Sequence, residues 1–487
     1  MLRSMSANAT VIADRITEAE RHRAAGDFPA AMRILGALFE SHPADGAVVL
    51  ALARTGAAMG GKSEALALIE FALQSGLSGL DLWLERAAML EQIGRADEAE
   101  SGLCDLVREG GDPTPLLRLG YLQRRLGAYD RARASTRALT AAYPTLAHGW
   151  TSLAIGLYTH GDLAGAEACF DRALLLNASD PLAQFSRALC LLAAGRWREG
   201  FPGFACRRRL PNAVAAPAGL PERQGGERRL LVWNDQALGD AIQFLRYVPL
   251  LRRRGMETAL LLPHSLVRLA RTVPDIGPVV SPDDPLPPAE AHLPMMDVPA
   301  LLDLDDIPAT VPYVQADREA SARWRERLGS LPGLKVGLVW AGDSRITNFQ
   351  MNALDRRRSL TADELAPLLA VEGASFVSLQ LGASPQSLPG AVDAMGEVTD
   401  FADTASVIDA LDLVITVDTS VAHLAGALGK QVWILSRYDG CWRWLRDRAD
   451  TPWYPSARLF RQAEPRRWAP VIGEIAASLG ELIAARL

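Results

Sequence analysis

Cysteine is scarce in this chain of 487 residues, and the five present (Cys104, Cys169, Cys190, Cys206 and Cys441) form no C-x-x-C pair. That spacing excludes a disulfide framework and the common zinc and thioredoxin-like motifs, and it leaves reduced, packed thiols as the reading. No run of about 18 apolar residues occurs, so no membrane span is expected. Met1 to Thr10 carries Arg3 and lacks the apolar segment of a secretory signal. A cytoplasmic location follows as an expectation. Excess positive charge is missing too: the formal net charge is -6, so general affinity for nucleic acid is not expected.

What the chain does have is a period. Glycine returns at Gly26, Gly60, Gly94, Gly127, Gly161 and Gly195. Five residues after each stands a small residue (Ala31, Ala65, Ala99, Ala132, Ala166, Gly200). Nine residues after stands Leu35, Ile69, Leu103, Thr136, Phe170 or Phe204. A period near 34 with this phasing marks helix–turn–helix repeats of the tetratricopeptide (TPR) type. Glycine permits the sharp turn after the first helix, and the small residue lets the second helix approach closely. Residues 14–210 are therefore expected to form six helix pairs within a repeat domain spanning 1–210, a curved surface suited to holding another polypeptide.

Residues 211–228 have linker composition, with Pro211, Pro217, Pro221, Gly225 and Gly226. Strand-like and helix-like segments then alternate. Strands are predicted at Arg229–Trp233, Glu257–Leu262, Ala291–Leu293, Leu334–Trp340, Ser375–Leu379, Leu413–Val417 and Gln431–Leu435. Alternation of this kind argues for parallel sheets covered by helices. It divides into two Rossmann-like units, 229–316 and 317–487, facing a cleft at the carboxyl ends of their strands. The last helix, about Ala469 to Arg486, is expected to close back across both units.

The most informative string runs from Asp412 to Gly429. A buried strand ends at Asp418, and a helix opens at once with Thr419 and Ser420. A helix N-terminus offers unpaired N–H groups to a phosphate, although Asp418 or Thr419 could equally cap the helix. Asp418-Thr419-Ser420-x-x-His423-Leu424-Ala425-Gly426-Ala427-Leu428-Gly429 resembles the signature of the family 9 glycosyltransferases, the heptosyltransferase group. Leu238-Gly239-Asp240-Ala241-Ile242-Gln243-Phe244 resembles that group's second signature. Val339–Gly342, Arg358–Leu360, Asp400–Ala405 and Trp453–Pro455 also match. The whole chain resembles bacterial TPR proteins ending in such a domain, some of which glycosylate flagellin.

The resemblance implies a GT-B fold from about 230 to 465, with Asp240 as the catalytic base. A carboxylate at that turn could take the proton of an acceptor hydroxyl, or it could cap the helix that follows. Gly239 and Gln243 belong to the same acceptor-side loop. Asp418, Thr419, Ser420, His423, Arg358 and Gln380 are the residues expected against the donor phosphate, sugar or nucleotide. His423 could instead be a packed histidine bonded to a backbone carbonyl. Of Arg356, Arg357 and Arg358, the last is favoured because it precedes the matching Ser359, while the segment Asp343–Asp355 departs from the family pattern. Arg207–Arg209 reads as a surface run. Asp303-Leu304-Asp305 has the form of a metal site without partners, and no metal or other cofactor is expected. Trp442, Trp444 and Trp453 read as core. The function implied is metal-independent transfer of a sugar from a nucleotide-sugar to a protein recruited by the repeats, with flagellin and a nonulosonic acid as the leading pair. A catalytically silent scaffold, or transfer to a carbohydrate or lipid acceptor for the envelope, are the other classes the sequence permits.

Overall fold

The computed structural model describes residues 2–211, 213–308, 310–342, 355–381 and 388–486. It divides into two compact units, Met1–Ser152 and Leu153–Leu487.

The repeats are twelve helices in six pairs: α1 (Leu2–Ala24) with α2 (Phe28–Ser41), α3 (Gly46–Ala58) with α4 (Lys62–Gln74), α5 (Leu80–Gln92) with α6 (Ala96–Glu109), α7 (Thr114–Arg125) with α8 (Tyr129–Ala142), α9 (Ala147–Thr159) with α10 (Leu163–Leu176), and α11 (Pro181–Ala193) with α12 (Trp197–Phe204). All six periodic glycines have positive φ, the left-handed conformation that a residue with a Cβ adopts only under strain. The small residues at the following position are buried, as are Leu35, Ile69, Leu103, Thr136, Phe170 and Phe204. At Gly200 a Cβ would stand 2.7 Å from the Leu192 side chain, so the last pair closes only with glycine there.

The second unit carries two sheets, and every strand pairing in them is parallel. The first holds β1 (Arg229–Trp233), β2 (Glu257–Leu261), β3 (Val279–Val280) and β4 (Ala291–Pro294) in the order β3-β2-β1-β4. Its helices are α13 (Leu238–Phe244), α14 (Val248–Arg253), α15 (His264–Ala270) and α16 (Val298–Leu302). α13 and α14 are separate helices, with Pro249 in the first turn of α14.

After α17 (Arg318–Gly329) comes the second sheet: β5 (Leu334–Val339), β6 (Ala374–Ser378), β7 (Val392–Asp393), β8 (Leu413–Val417), β9 (Val432–Ser436) and β10 (Ala457–Arg461), in the order β10-β9-β8-β5-β6-β7. Its helices are α18 (Ala366–Leu369), α19 (Phe401–Asp409), α20 (Ser420–Ala427) and α21 (Ala469–Ala484). Strand order reverses between β5 and β8, and between β1 and β4. Such reversals open a crevice beyond the carboxyl ends of the strands.

Two expectations, on the last helix and on Arg207, need correction. The last helix does not close across both halves: Val471, Ile472, Ile475 and Leu479 of α21 pack on the second sheet's own core, with Leu365, Leu368 and Trp468. The connecting stretch 211–228 is anchored to the first sheet, since the Arg223 N–H donates to the His292 carbonyl and the His292 N–H to the Pro221 carbonyl. Arg207 is no surface arginine. It is buried, with Nε 2.7 Å from Asp235 and Nη1 on Asp297.

These ties have a counterpart in the apolar core. Leu192, Trp197, Phe201 and Phe204 of the last helix pair share one buried cluster with Phe244, Trp442 and Trp453 of the α/β region. Trp197 lies 5.7 Å from Trp453 and Phe204 lies 5.9 Å from Trp442, ring to ring. The end of the repeats and both sheets thus make one packed body.

Candidate functional site

A cleft of about 370 Å³ opens beyond the carboxyl ends of β1, β5, β6 and β8. It lies at the reversal in strand order that the topology marks. Ala237, Leu238 and Gly239 line one wall, and Ala341, Gly342, Arg358, Gln380, Thr419 and Ser420 line the other.

The two signature strings meet here. The N-terminus of α13 abuts that of α20 so closely that a Cβ on Gly239 would stand 2.9 Å from His423 Cδ2 and 3.2 Å from Ser420 Cα. Gly239 is therefore needed for helix approach rather than for an unusual φ. Two helix ends with positive dipole character face the same space, an arrangement that favours an anion. Thr419 is the N-cap residue of α20 but makes no side-chain cap. Its hydroxyl lies 3.1 Å from that of Thr416 instead.

Asp240 stands in the first turn of α13. One carboxylate oxygen accepts the Ala237 N–H at 3.1 Å, which is the capping bond, and the other accepts from Arg443 Nη2. Both oxygens keep acceptor capacity, since an ionised carboxylate has about four lone-pair sites. Gln243 lies inside α13, fully buried, and accepts from Arg443 Nε at 2.6 Å. Its Nε2 has no hydrogen-bond partner among the described residues.

Arg358 is the arginine of its triplet that reaches the cleft. Asp355 holds its Nε at 3.0 Å, and its Nη1 donates to the Asp418 carbonyl at 3.0 Å. Gly342 gives it room, because a Cβ there would fall 1.9 Å from Arg358 Nη2. Arg356 points to solvent, and Arg357 lies 3.5 Å from Asp439. Residues 343–354 lie outside the described residues. Asp418 faces Arg437, with 3.9 Å between charged atoms. Gln380 spends its amide on the backbone: Oε1 accepts from Trp340 and Ala341, and Nε2 donates to the Ala341 and Leu381 carbonyls. It ties β5 to β6 at the cleft floor.

His423 is packed rather than presented to the cleft. It is buried, stacks on Trp444 at 5.2 Å, and bonds the Tyr454 hydroxyl at 3.0 Å through Nδ1. Burial, with Arg443 and Arg246 nearby, drives its pKa well below the usual histidine value. The partner is thus a tyrosine and not a backbone carbonyl, a pairing invisible in sequence because 31 residues separate the two. Trp442, Trp444 and Trp453 are buried.

Asp303 and Asp305 both engage Arg198, at 3.1 and 2.8 Å. Among the described residues no cluster of three or more His, Cys, Asp or Glu could hold a metal ion.

Sequence reasoning missed Arg443 and Arg437. Both leave the loop after β9 and turn inward to the signature aspartates. Nothing in Arg443's neighbours along the chain, Trp442 and Trp444, signals it; only the fold brings it to Asp240.

Comparison with known proteins supports the repeats most directly. Residues 151–200 match the tetratricopeptide repeat family model. Protein FlbA of Caulobacter vibrioides is 27% identical over 441 residues, covering 74% of this chain and 72% of FlbA. Among solved structures, a tetratricopeptide repeat protein from Parabacteroides merdae is 19% identical and covers 40% of this chain and 77% of its own, with a TM-score of 0.33. YrrB, described as a TPR protein with an unusual peptide-binding site, is 17% identical and covers 37% of this chain and 94% of its own, with a TM-score of 0.27. By its own helix pairs, its strands and the family-model match, the chain is a protein with TPR-like helix pairs followed by an α/β region of parallel sheets, and no described helix is long and apolar enough to cross a membrane.

Proposed function

We propose that the α/β region is a metal-independent glycosyltransferase of the GT-B class, and that the repeats recruit its protein acceptor. The observation that carries this reading is the meeting of the Leu238–Gly239 turn, which Asp240 follows, with the Thr419–Ser420 helix start, beside Arg358, at one cleft. In this reading the donor phosphate sits at Thr419 and Ser420, with Arg358 against its oxygens. Departure of the nucleotide leaves negative charge, which the two helix ends and the arginine stabilise. Asp240 takes the proton of the attacking acceptor hydroxyl. The favoured acceptor is flagellin and the favoured sugar a nonulosonic acid, choices that rest on the resemblance in architecture alone.

The test is transfer in solution. The full chain, flagellin purified from a strain lacking this gene, and a CMP-linked nonulosonic acid are combined, and the intact mass of flagellin is read. A mass increase of whole sugar units is expected. Asp240→Asn keeps the side chain's size and should slow transfer on the order of 100- to 10,000-fold. A mutant within about threefold of wild type would remove Asp240 from the role of base.

A further inference from the structure

Asp240 is gripped by a side chain that neither signature string contains. Arg443 forks across two neighbours on α13, with Nε on Gln243 Oε1 at 2.6 Å and Nη2 on Asp240 Oδ1. The fork is fixed in turn. Its guanidinium lies 4.3 Å from the Trp442 ring centre, and Nη1 reaches Cys441 Sγ at 3.3 Å. The loop that carries it, residues 437–446, rests on the end of the repeats. Trp442 packs between Trp197 at 6.3 Å, Phe201 at 6.1 Å and Phe204 at 5.9 Å. Arg446 donates to the Tyr158 carbonyl at 2.9 Å and lies over that ring at 5.3 Å. His160 meets Tyr438 edge-on at 6.3 Å.

A planar guanidinium holds its donors at fixed angles to one another, so with Nε on Gln243 the Nη2–H is aimed at one Asp240 oxygen, which a freely rotating ammonium does not ensure. With Oδ2 held by the Ala237 N–H and Oδ1 by Arg443, the Asp240 carboxylate has one orientation left. We infer that Arg443 is the positioning residue for Asp240, and that the last helix pairs of the repeats serve the reaction by holding its loop in place. The inference rests on Asp240 acting as base. It gives residues 158–204 a task besides acceptor recruitment: without their aromatic seat the fork has no fixed origin.

The test uses the full chain with flagellin and the CMP-linked nonulosonic acid. Arg443→Gln should lower kcat about 100-fold, the loss that a misplacement near 1 Å produces, while the donor KM stays within about threefold. Arg443→Lys should recover part of the rate, remaining roughly tenfold below wild type, because charge without the fork does not orient the carboxylate. The double variant Asp240→Asn with Arg443→Gln should be no more than about twofold slower than Asp240→Asn alone, since two residues acting as one unit are not additive. Additive losses, or an Arg443→Lys enzyme at the wild-type rate, would overturn the inference, and the lysine variant carries the test if the glutamine variant does not fold. Asp240→Asn at the wild-type rate would instead refute the base itself, and a wild-type chain that transfers nothing would refute the proposed function on which both stand.

Discussion

The boundary between repeats and α/β region is the feature most open to a decisive perturbation. The sequence places a cut at residue 210, where linker composition begins. The packing places it earlier, because the compact unit starts at Leu153, inside α9. A fragment 146–487 keeps α9 whole and leaves the shared core intact. A fragment 211–487 removes Leu192, Trp197, Phe201 and Phe204, and returns to water the surface they cover on Phe244, Trp442 and Trp453. Four large buried side chains at about 1.5–3 kcal/mol each amount to about 6–12 kcal/mol. The shorter fragment also loses Arg207 and so leaves Asp235 and Asp297 unpaired. Burial already pushes the Asp235 carboxyl above its usual pKa, with Arg207 acting in the opposite sense. Removing one partner of a buried ion pair costs about 3–5 kcal/mol. The total, about 9–17 kcal/mol, matches or exceeds the net stability of an ordinary domain at about 5–15 kcal/mol. Thermal unfolding by circular dichroism, with light scattering, should show a cooperative transition for 146–487 and aggregation or no transition for 211–487. A monomeric 211–487 fragment melting within about 5 °C of the longer one would refute the shared core.

Four further outcomes follow from the same contacts. Gly239→Ala should force the starts of α13 and α20 apart, costing about 1–3 kcal/mol of stability as an overpacked contact does and weakening calorimetric binding of CMP; unchanged affinity and midpoint would contradict the close approach. Ser420→Ala should weaken CMP binding by roughly 1.5–3 kcal/mol, the worth of a hydrogen bond to a charged group, whereas Thr419→Ala should cost less because that hydroxyl is turned to Thr416; equal losses would move the phosphate. His423 is held neutral in the fold and titrates normally when unfolded, so the unfolded chain binds the extra proton as pH falls below about 6.5 and stability drops by up to about 1.4 kcal/mol per pH unit; in His423→Gln that part of the slope should vanish from melts run between pH 7.5 and 5.5. The fragment 146–487 should bind CMP as the full chain does yet fail to modify flagellin, and full modification by it would take acceptor recruitment away from the first four helix pairs.

What the sequence made legible, and what it hid, divides along a physical line. The repeats were readable because each needs the same left-handed turn and the same close helix contact every 34 residues or so, and only glycine and small side chains meet those needs. The parallel strands were readable where they are central: β1, β5, β8 and β9 are near-continuous apolar runs, broken by Arg229 at the start of β1 and Lys335 in β5, because helices cover both faces. Of the edge strands, β4 was readable because all four of its residues are buried, while β3, β7 and β10 carry two residues, two residues and an arginine at each of two positions, Arg458 and Arg461, and so lack that signal. The helix starts at Asp240 and Thr419 could be placed, since a strand running straight into a polar turn is a local event. Their partners could not. Arg443, Arg437 and Arg207 lie 203, 19 and 28 residues along the chain from Asp240, Asp418 and Asp235, and each stands in a local context that solvated arginines share. An arginine's role is decided by whether a carboxylate waits at the end of its side chain, which is a fact of tertiary structure. The three arginines that sequence treats as surface or ignores each close an ion pair between distant segments: Arg207, after the last helix pair, with Asp235 and Asp297, and Arg443 and Arg437 of the loop after β9 with Asp240 and Asp418. For the same reason the resemblance to a glycosyltransferase, carried by two helix starts, says less about this chain than the side chains that hold those starts in place.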